Sequence, residues 1–158
     1  LGLSTATVTI VGQNFGAKQY KRVLETYKKG ISLGVIILLI LGLIIFLTAE
    51  IAMNLFTDNE TVIKYGSDYL KISSVMFPAF PFFFIGNATF QGLKRAIIVM
   101  YMAIMRFVLI PFIMIYIIFI QLGENYNYMF FALAGMHWTI GLIYFYYCNK
   151  KYKSLLNL

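Results

Sequence analysis

Residues 30–49 read GISLGVIILLILGLIIFLTA, twenty consecutive residues without a charge. At 1.5 Å per residue a helix of that length matches a hydrocarbon layer about 30 Å thick. A helix satisfies its own backbone in lipid, whereas an open strand does not. Residues 30–49 are therefore expected to form a transmembrane α-helix. The rest of the chain agrees. Hydrophobic residues make up 61% and charged residues 12%, with a mean hydropathy of +0.80. Soluble domains carry about 25% charged residues, so this chain has too little polar surface to face water.

Working outward, four more apolar stretches appear. Residues 1–11 form half a span, running to about residue 13 and ending in polar Gly12-Gln13-Asn14. Residues 72–93 form an uncharged span containing Pro78 and Pro81. Residues 96–122 form a span interrupted by Arg106. Residues 126–148 form a span with His137 near its middle. The expected fold is all-α, a polytopic transmembrane bundle of four complete spans and one truncated span. No run of short alternating segments suggests a β-barrel. Leu1 is not an initiator Met, and no basic segment or cleavage site of a signal peptide precedes the apolar run. The chain reads as a fragment.

Charge fixes the expected orientation. Ten of the 13 basic residues fall on one side of the membrane: Lys18, Lys21, Arg22, Lys28, Lys29, Lys94, Arg95, Lys150, Lys151 and Lys153. Lys64 and Lys71 fall on the other side, with five of the six acids (Glu50, Asp58, Glu60, Asp68 and Glu124). The positive-inside bias places the ten, and the C-terminus, in the cytoplasm. The basic clusters flank apolar runs and form no continuous face, so the net charge of +7 does not indicate nucleic-acid binding. The Ile-, Lys- and Asn-rich composition suggests a bacterial plasma-membrane protein.

Several features set local structure. Thr57-Asp58-Asn59-Glu60 fits a capping box, with Thr57 as cap, starting a helix that runs on into the third span. Gly12 with Gly16, and Gly30 with Gly34, have the spacing that lets helices approach closely in lipid. Cys148 is the sole cysteine, which excludes an internal disulfide and any multi-cysteine metal site. It is either core filler or an acylation target.

Two motifs carry a family resemblance. Gly12-Gln13-Asn14-Phe15-Gly16-Ala17 with Tyr20-Lys21-Arg22 resembles the cytoplasmic end of a helix in multidrug and toxic compound extrusion (MATE) transporters. Leu55-Phe56-Thr57-Asp58-Asn59-Glu60 with Val62 and Tyr69-Leu70 resembles that family's outer loop and following helix. Phe90-Gln91-Gly92, and Arg106 with Pro111, are weaker matches in the same order. The resemblance implies a twelve-helix fold of two lobes. This chain would supply helices eight to twelve, a partial C-terminal lobe, and an N-terminal lobe would be its partner. It also implies export of cationic or amphipathic small molecules in exchange for Na⁺ or H⁺. The coding sequence before Leu1 is then expected to add roughly 280–300 residues with a second turn of the Gly-Gln-x-x-Gly-Ala kind. Two departures stand out. The ion-binding acid that some branches carry on helix ten falls at Phe80, so the coupling carboxylate is expected outside this chain. A small-residue and Asp-containing turn is replaced by Leu93-Lys94-Arg95-Ala96.

Candidate pathway residues follow from chemistry in an apolar medium. Arg106 lies about ten residues, roughly 15 Å, into its span, where a charge costs about 2.5–3.5 kcal/mol. It is a hinge or cavity residue, or an Arg that snorkels to lipid phosphates. Pro111 cannot donate to the carbonyl of Phe107. His137 is either a proton relay or a neutral His bonded to a neighbouring helix, and Trp138 faces the cavity or a partner helix. Phe80 and Phe84 belong to an aromatic group that attracts organic cations or faces lipid. Asn87 and Gln91 are expected as buried amides, bonding across helices or facing the pathway. Pro78, Pro81 and Pro111 mark kinks of the kind found in moving parts of transporters. No phosphate-binding loop and no H-E-x-x-H motif is present, so neither an ATPase nor a zinc hydrolase is expected, and no cofactor. The alternatives to an exporter are a lipid-linked saccharide flippase of the same superfamily and a non-transporting membrane module or inactive fragment.

Overall fold

The computed structural model describes residues 1–117 and 126–156, and every regular element in them is helical. Helix α1 spans Gly2–Gly16 and α2 spans Tyr20–Asn54. Helix α3 spans Glu60–Met76, a single 3-10 turn follows at Phe77–Ala79, and α4 spans Phe80–Gly92. Helix α5 covers Ala96–Ile104, a π-helical turn covers Met105–Leu109, and α6 covers Ile110–Ile117. Helix α7 spans Tyr126–Leu155. The expected end of the fourth span near Leu122, and Glu124, lie outside the described residues.

Among the described residues, three helical stretches are long and apolar enough to cross a membrane: Tyr20–Asn54, Glu60–Gly92 and Ala96–Ile113. The helices outrun the apolar stretches. Helix α2 has 35 residues, because Tyr20 to Lys29 continue the helix with polar side chains beyond the apolar run. Helix α7 likewise continues past Cys148 to Leu155.

The third span passes from α to 3-10 geometry and back where its two prolines lie. Pro78 is the second residue of the 3-10 turn and Pro81 the second of α4, in first turns where a missing N–H costs little. The helix start at the outer loop differs from the capping-box expectation. Asn59, not Thr57, caps α3, its Oδ1 accepting from the N–H groups of Thr61 (3.0 Å) and Val62 (3.3 Å). Thr57 Oγ1 instead accepts from the Asn59 N–H at 3.2 Å, holding the preceding turn. Glu60 is thereby the first helical residue rather than the third.

Two turns share one construction. After α1, the Lys18 N–H donates to Phe15 O and the Gln19 N–H to Asn14 O. After α4, the Lys94 N–H donates to Gln91 O and the Arg95 N–H to Phe90 O. Both are Schellman caps, and both place a lysine at positive φ, 57° at Lys18 and 59° at Lys94. Leu93-Lys94-Arg95-Ala96 thus builds the same turn as Ala17-Lys18-Gln19.

Helix α4 is the central strut, touched by α1, α2, α5 and α7. Small residues set the closest approaches. A Cβ at Gly42 would lie 2.7 Å from Ser74 O, so α2 and α3 meet backbone to backbone. Gly30 and Gly34 seat Ile85 and Pro81 of α4, as their spacing predicts. The other pair does not act this way: nothing lies within 4 Å of a Cβ at Gly16, and Gly12 meets only Gly92 O at 3.7 Å. The core gathers Val11, Val23, Tyr27, Phe90, Tyr144 and Tyr152 between α1, α2, α4 and α7. Outside it, α2 exposes Leu33, Ile36, Ile40, Leu43, Ile44 and Leu47, an apolar surface far beyond what water-soluble monomers present.

Candidate substrate pathway

The site grows from the first turns of α4. Phe80 and Phe84 lie one turn apart, ring centroids 6.2 Å apart, with Phe83 beside Phe84 at 5.7 Å. Phe80 and Phe84 line a cleft of about 480 Å³ between α1, α2 and α4, whose walls include Leu3, Ser4, Ile37 and Leu38. The cleft is apolar except at Ser4.

Arg106 projects from the π turn onto the same aromatic group. Its guanidinium carbon sits 4.1 Å from the centre of the Phe83 ring, 5.7 Å from Phe80 and 5.6 Å from Phe107. The side chain is 4% exposed, so it does not snorkel. Its Nη1 is buried without a hydrogen-bond partner. Among the described residues no carboxylate lies within the apolar stretches to pair with it. The π turn itself follows from local sequence. The Ile110 N–H reaches back to Met105 O, and Pro111 has no N–H with which to continue the ladder. Such single π turns recur at functional positions.

Phe80 links Arg106 to His137, whose ring lies edge-on at 5.5 Å. His137 Nδ1 pairs with Leu133 O at 2.9 Å. This is a carbonyl of its own helix, not of a neighbouring one as expected, because a His Nδ1 reaches the carbonyl four residues back. Trp138 does bond across helices, its Nε1–H donating to Val75 O of α3 at 2.9 Å. Asn87 is buried as expected, and its Oδ1 accepts from the Tyr144 hydroxyl of α7 at 2.5 Å. Gln91 is not buried; it is exposed in the last turn of α4. Pro111 is half-buried just after the π turn. The motif Gly12, Gln13, Asn14, Gly16 and Ala17 forms the end of α1 and its cap, with Asn14 Nδ2 donating to Ile10 O. It does not line the cleft.

A cluster unpredicted from the sequence lies deeper along α4. The Tyr152 hydroxyl donates to Gly86 O at 2.6 Å, and Tyr27 packs edge-on against Tyr152 at 4.8 Å. Cys148 is fully buried among them, as filler. Its signal was available in the spacing: Tyr144, Cys148, Tyr152 and Leu156 recur every fourth residue and are all buried.

The chemistry of the site turns on which cation the aromatic group holds. Each aromatic face gives a cation about 0.5–2 kcal/mol, and Phe83 already gives its face to Arg106. A second cation about 6 Å from the guanidinium would be repelled by about 3 kcal/mol at an effective dielectric of 20. Among the described residues no cluster of His, Cys, Asp or Glu is placed to hold a metal ion.

Comparison with known proteins agrees with this architecture. The MatE family profile matches residues 1–117. No curated protein matches the chain. An inward-facing multidrug resistance MATE family transporter of the MOP superfamily superposes with a TM-score of 0.89 at 20% identity, over 98% of this chain and 36% of that one. An outward-facing structure of such a transporter gives 0.89 at 19% identity, over 96% and 34%. A MOP superfamily transporter from Pyrococcus furiosus, described as having a binding pocket of reverse polarity that suggests a different function, gives 0.88 at 21%, over 96% and 34%. The chain thus spans about a third of the length of the transporters it resembles. With the profile covering most of its length and the fold shared almost end to end, the chain belongs to the MatE family, whose members are multi-pass membrane transporters and not enzymes.

Proposed function

We propose that this chain is most of the C-terminal lobe, helices eight to twelve, of a secondary transporter that exports amphipathic compounds, organic cations in the family's usual range, in exchange for Na⁺ or H⁺. In this reading α1 is the truncated span. Helix α2, the α3–α4 rod, the α5–α6 rod and α7 are the four complete ones. The ten clustered basic residues and the C-terminus face the cytoplasm of a bacterial cell. The coupling carboxylate belongs to the rest of the protein.

The observation that carries the reading is Arg106, a buried charge on a π turn beside an apolar cleft, where a merely structural helix would place a Leu. Equal likeness to inward- and outward-facing transporters supports a lobe that keeps its shape while the transporter alternates. A lipid-linked saccharide flippase would need several basic residues lining its cavity, and Arg106 stands alone within the apolar stretches of the described residues.

The test is gradient-driven movement of fluorescent amphipaths of positive, zero and negative charge by the full-length protein in proteoliposomes, under Na⁺ and pH jumps. Movement of at least one dye that follows one gradient is expected. Movement of none would sink the exporter reading. Arg106→Ala at equal expression is expected to lower transport about tenfold or more, equivalent to about 1.4 kcal/mol or more. Unchanged transport would remove Arg106 from the mechanism.

A further inference from the structure

We infer that Arg106 is an anion-recognition group: it takes the phosphate or carboxylate of an amphipathic cargo whose apolar body lies in the cleft lined by Phe80 and Phe84. The inference rests on the exporter reading and narrows its substrate class.

Three observations carry it. A guanidinium stays charged and presents up to five donors in a planar fork suited to phosphate and carboxylate. Here the side chain is 4% exposed and Nη1 has no acceptor. A buried charge of this kind needs a counter-charge, and the described residues offer none: Glu25, Glu50, Asp58, Glu60 and Asp68 all lie at or beyond the ends of the apolar runs. Second, Phe80, Phe83 and Phe107 hold the fork between rings, a dehydrated setting in which an anion gains most. Third, Phe80 belongs both to the arginine's cage and to the apolar cleft. Arg106 itself does not line the cleft, so a shift of Phe80 or of the π turn joins the two. That shift is eased by a helix α5 with no fully buried side chain and by Pro111, which interrupts the ladder behind Arg106.

The anion has two sources, a soluble amphipath or the headgroup of a membrane lipid. The experiment measures binding of radiolabelled dodecyl phosphate to the full-length protein in phosphatidylcholine vesicles, against protein-free vesicles, with dodecyltrimethylammonium and dodecanol as matched competitors. The wild type is expected to prefer the phosphate to the ammonium by about tenfold or more. Arg106→Gln is expected to lose that preference, and Arg106→Lys to keep part of it. Adding phosphatidylglycerol to the vesicles leaves binding unchanged if a soluble amphipath is the cargo and displaces the label if a lipid headgroup is; both outcomes support the anion site. Equal affinity in wild type and Arg106→Gln, or a wild-type preference for the ammonium, overturns it. Should Arg106→Gln fail to fold, the wild-type comparison of phosphate with ammonium decides alone. Gradient-driven cation export without phosphate binding would overturn the anion site only. Arg106-dependent phosphate binding without gradient-driven transport would overturn only the exporter reading.

Discussion

Helix α7 and the α5–α6 rod both lie against α4, and they are held there by opposite means. Helix α7 is fastened by hydrogen bonds: Tyr144 to Asn87, Tyr152 to Gly86 O, and Trp138 to Val75 O of α3. Its Tyr144, Cys148 and Tyr152, and Leu156 just past its end, are all buried. Among the described residues the α5–α6 rod fully buries only Arg106, packs Ile98, Val99 and Met102 part-buried against the core, and has no hydrogen bond to another helix. Lipid tails are as apolar as Leu, so close packing and interhelical hydrogen bonds decide which helices stay together. By that measure the α4–α7 seam is the more tightly fastened of the two within this chain. Substitutions on the two sides are accordingly expected to differ in size and in sign.

The largest effect is expected at the seam itself. A Cβ at Gly86 would lie 2.8 Å from the Tyr144 ring and 3.0 Å from the Cys148 sulfur. Gly86→Ala is expected to cost about 1–3 kcal/mol, the usual price of overpacking, read as a lower melting temperature of the detergent-solubilised protein. Ile104→Ala, on the exposed face of α5, is expected to stay within about 0.5 kcal/mol. Equal losses at the two positions would break the contrast.

Arg106→Met is expected to change the sign. An isolated Arg in a span costs about 2.5–3.5 kcal/mol on insertion scales, and cation–π contacts return about 0.5–2. Replacement by a flexible apolar side chain is therefore expected to raise stability by about 1–2 kcal/mol while impairing transport, the trade-off common at functional sites. A lower melting temperature would show that Arg106 already has a carboxylate partner elsewhere in the protein.

These two regions were unequally legible in the sequence. Arg106 stood out because one charge in an apolar run is conspicuous, and Pro111 marked a break beside it. That the break is a π turn, which swings Arg106 onto Phe83, depends on backbone register that hydropathy does not record. Residues 30–49 announced a helix, but its full extent, Tyr20–Asn54, did not show because hydropathy sees only the part in lipid. Asn87 and Gln91 share a face by spacing, yet only Asn87 is buried; depth along a helix says nothing of where a neighbour ends. The tyrosine seam was visible as a four-residue repeat in residues 144–156, hidden by the general abundance of aromatics.

The smallest effect, and the sharpest probe of the seam, comes from single hydroxyls. Tyr144→Phe leaves the buried Asn87 Oδ1 without its donor and is expected to cost about 0.6–1.7 kcal/mol, the range for interhelical hydrogen bonds in membranes. Tyr27 is equally buried, and its hydroxyl faces the Cys148 sulfur without a well-formed hydrogen bond. Tyr27→Phe removes a desolvated polar group whose contact with a thiol, a weak hydrogen-bonding group, returns little, so it is expected to be neutral or slightly stabilising. The two substitutions delete the same atom from the same cluster, so unequal melting temperatures isolate the hydrogen bond from the packing. Equal losses would mean that ring packing alone holds α7, and the fastening of the seam by its hydroxyls would have to be given up.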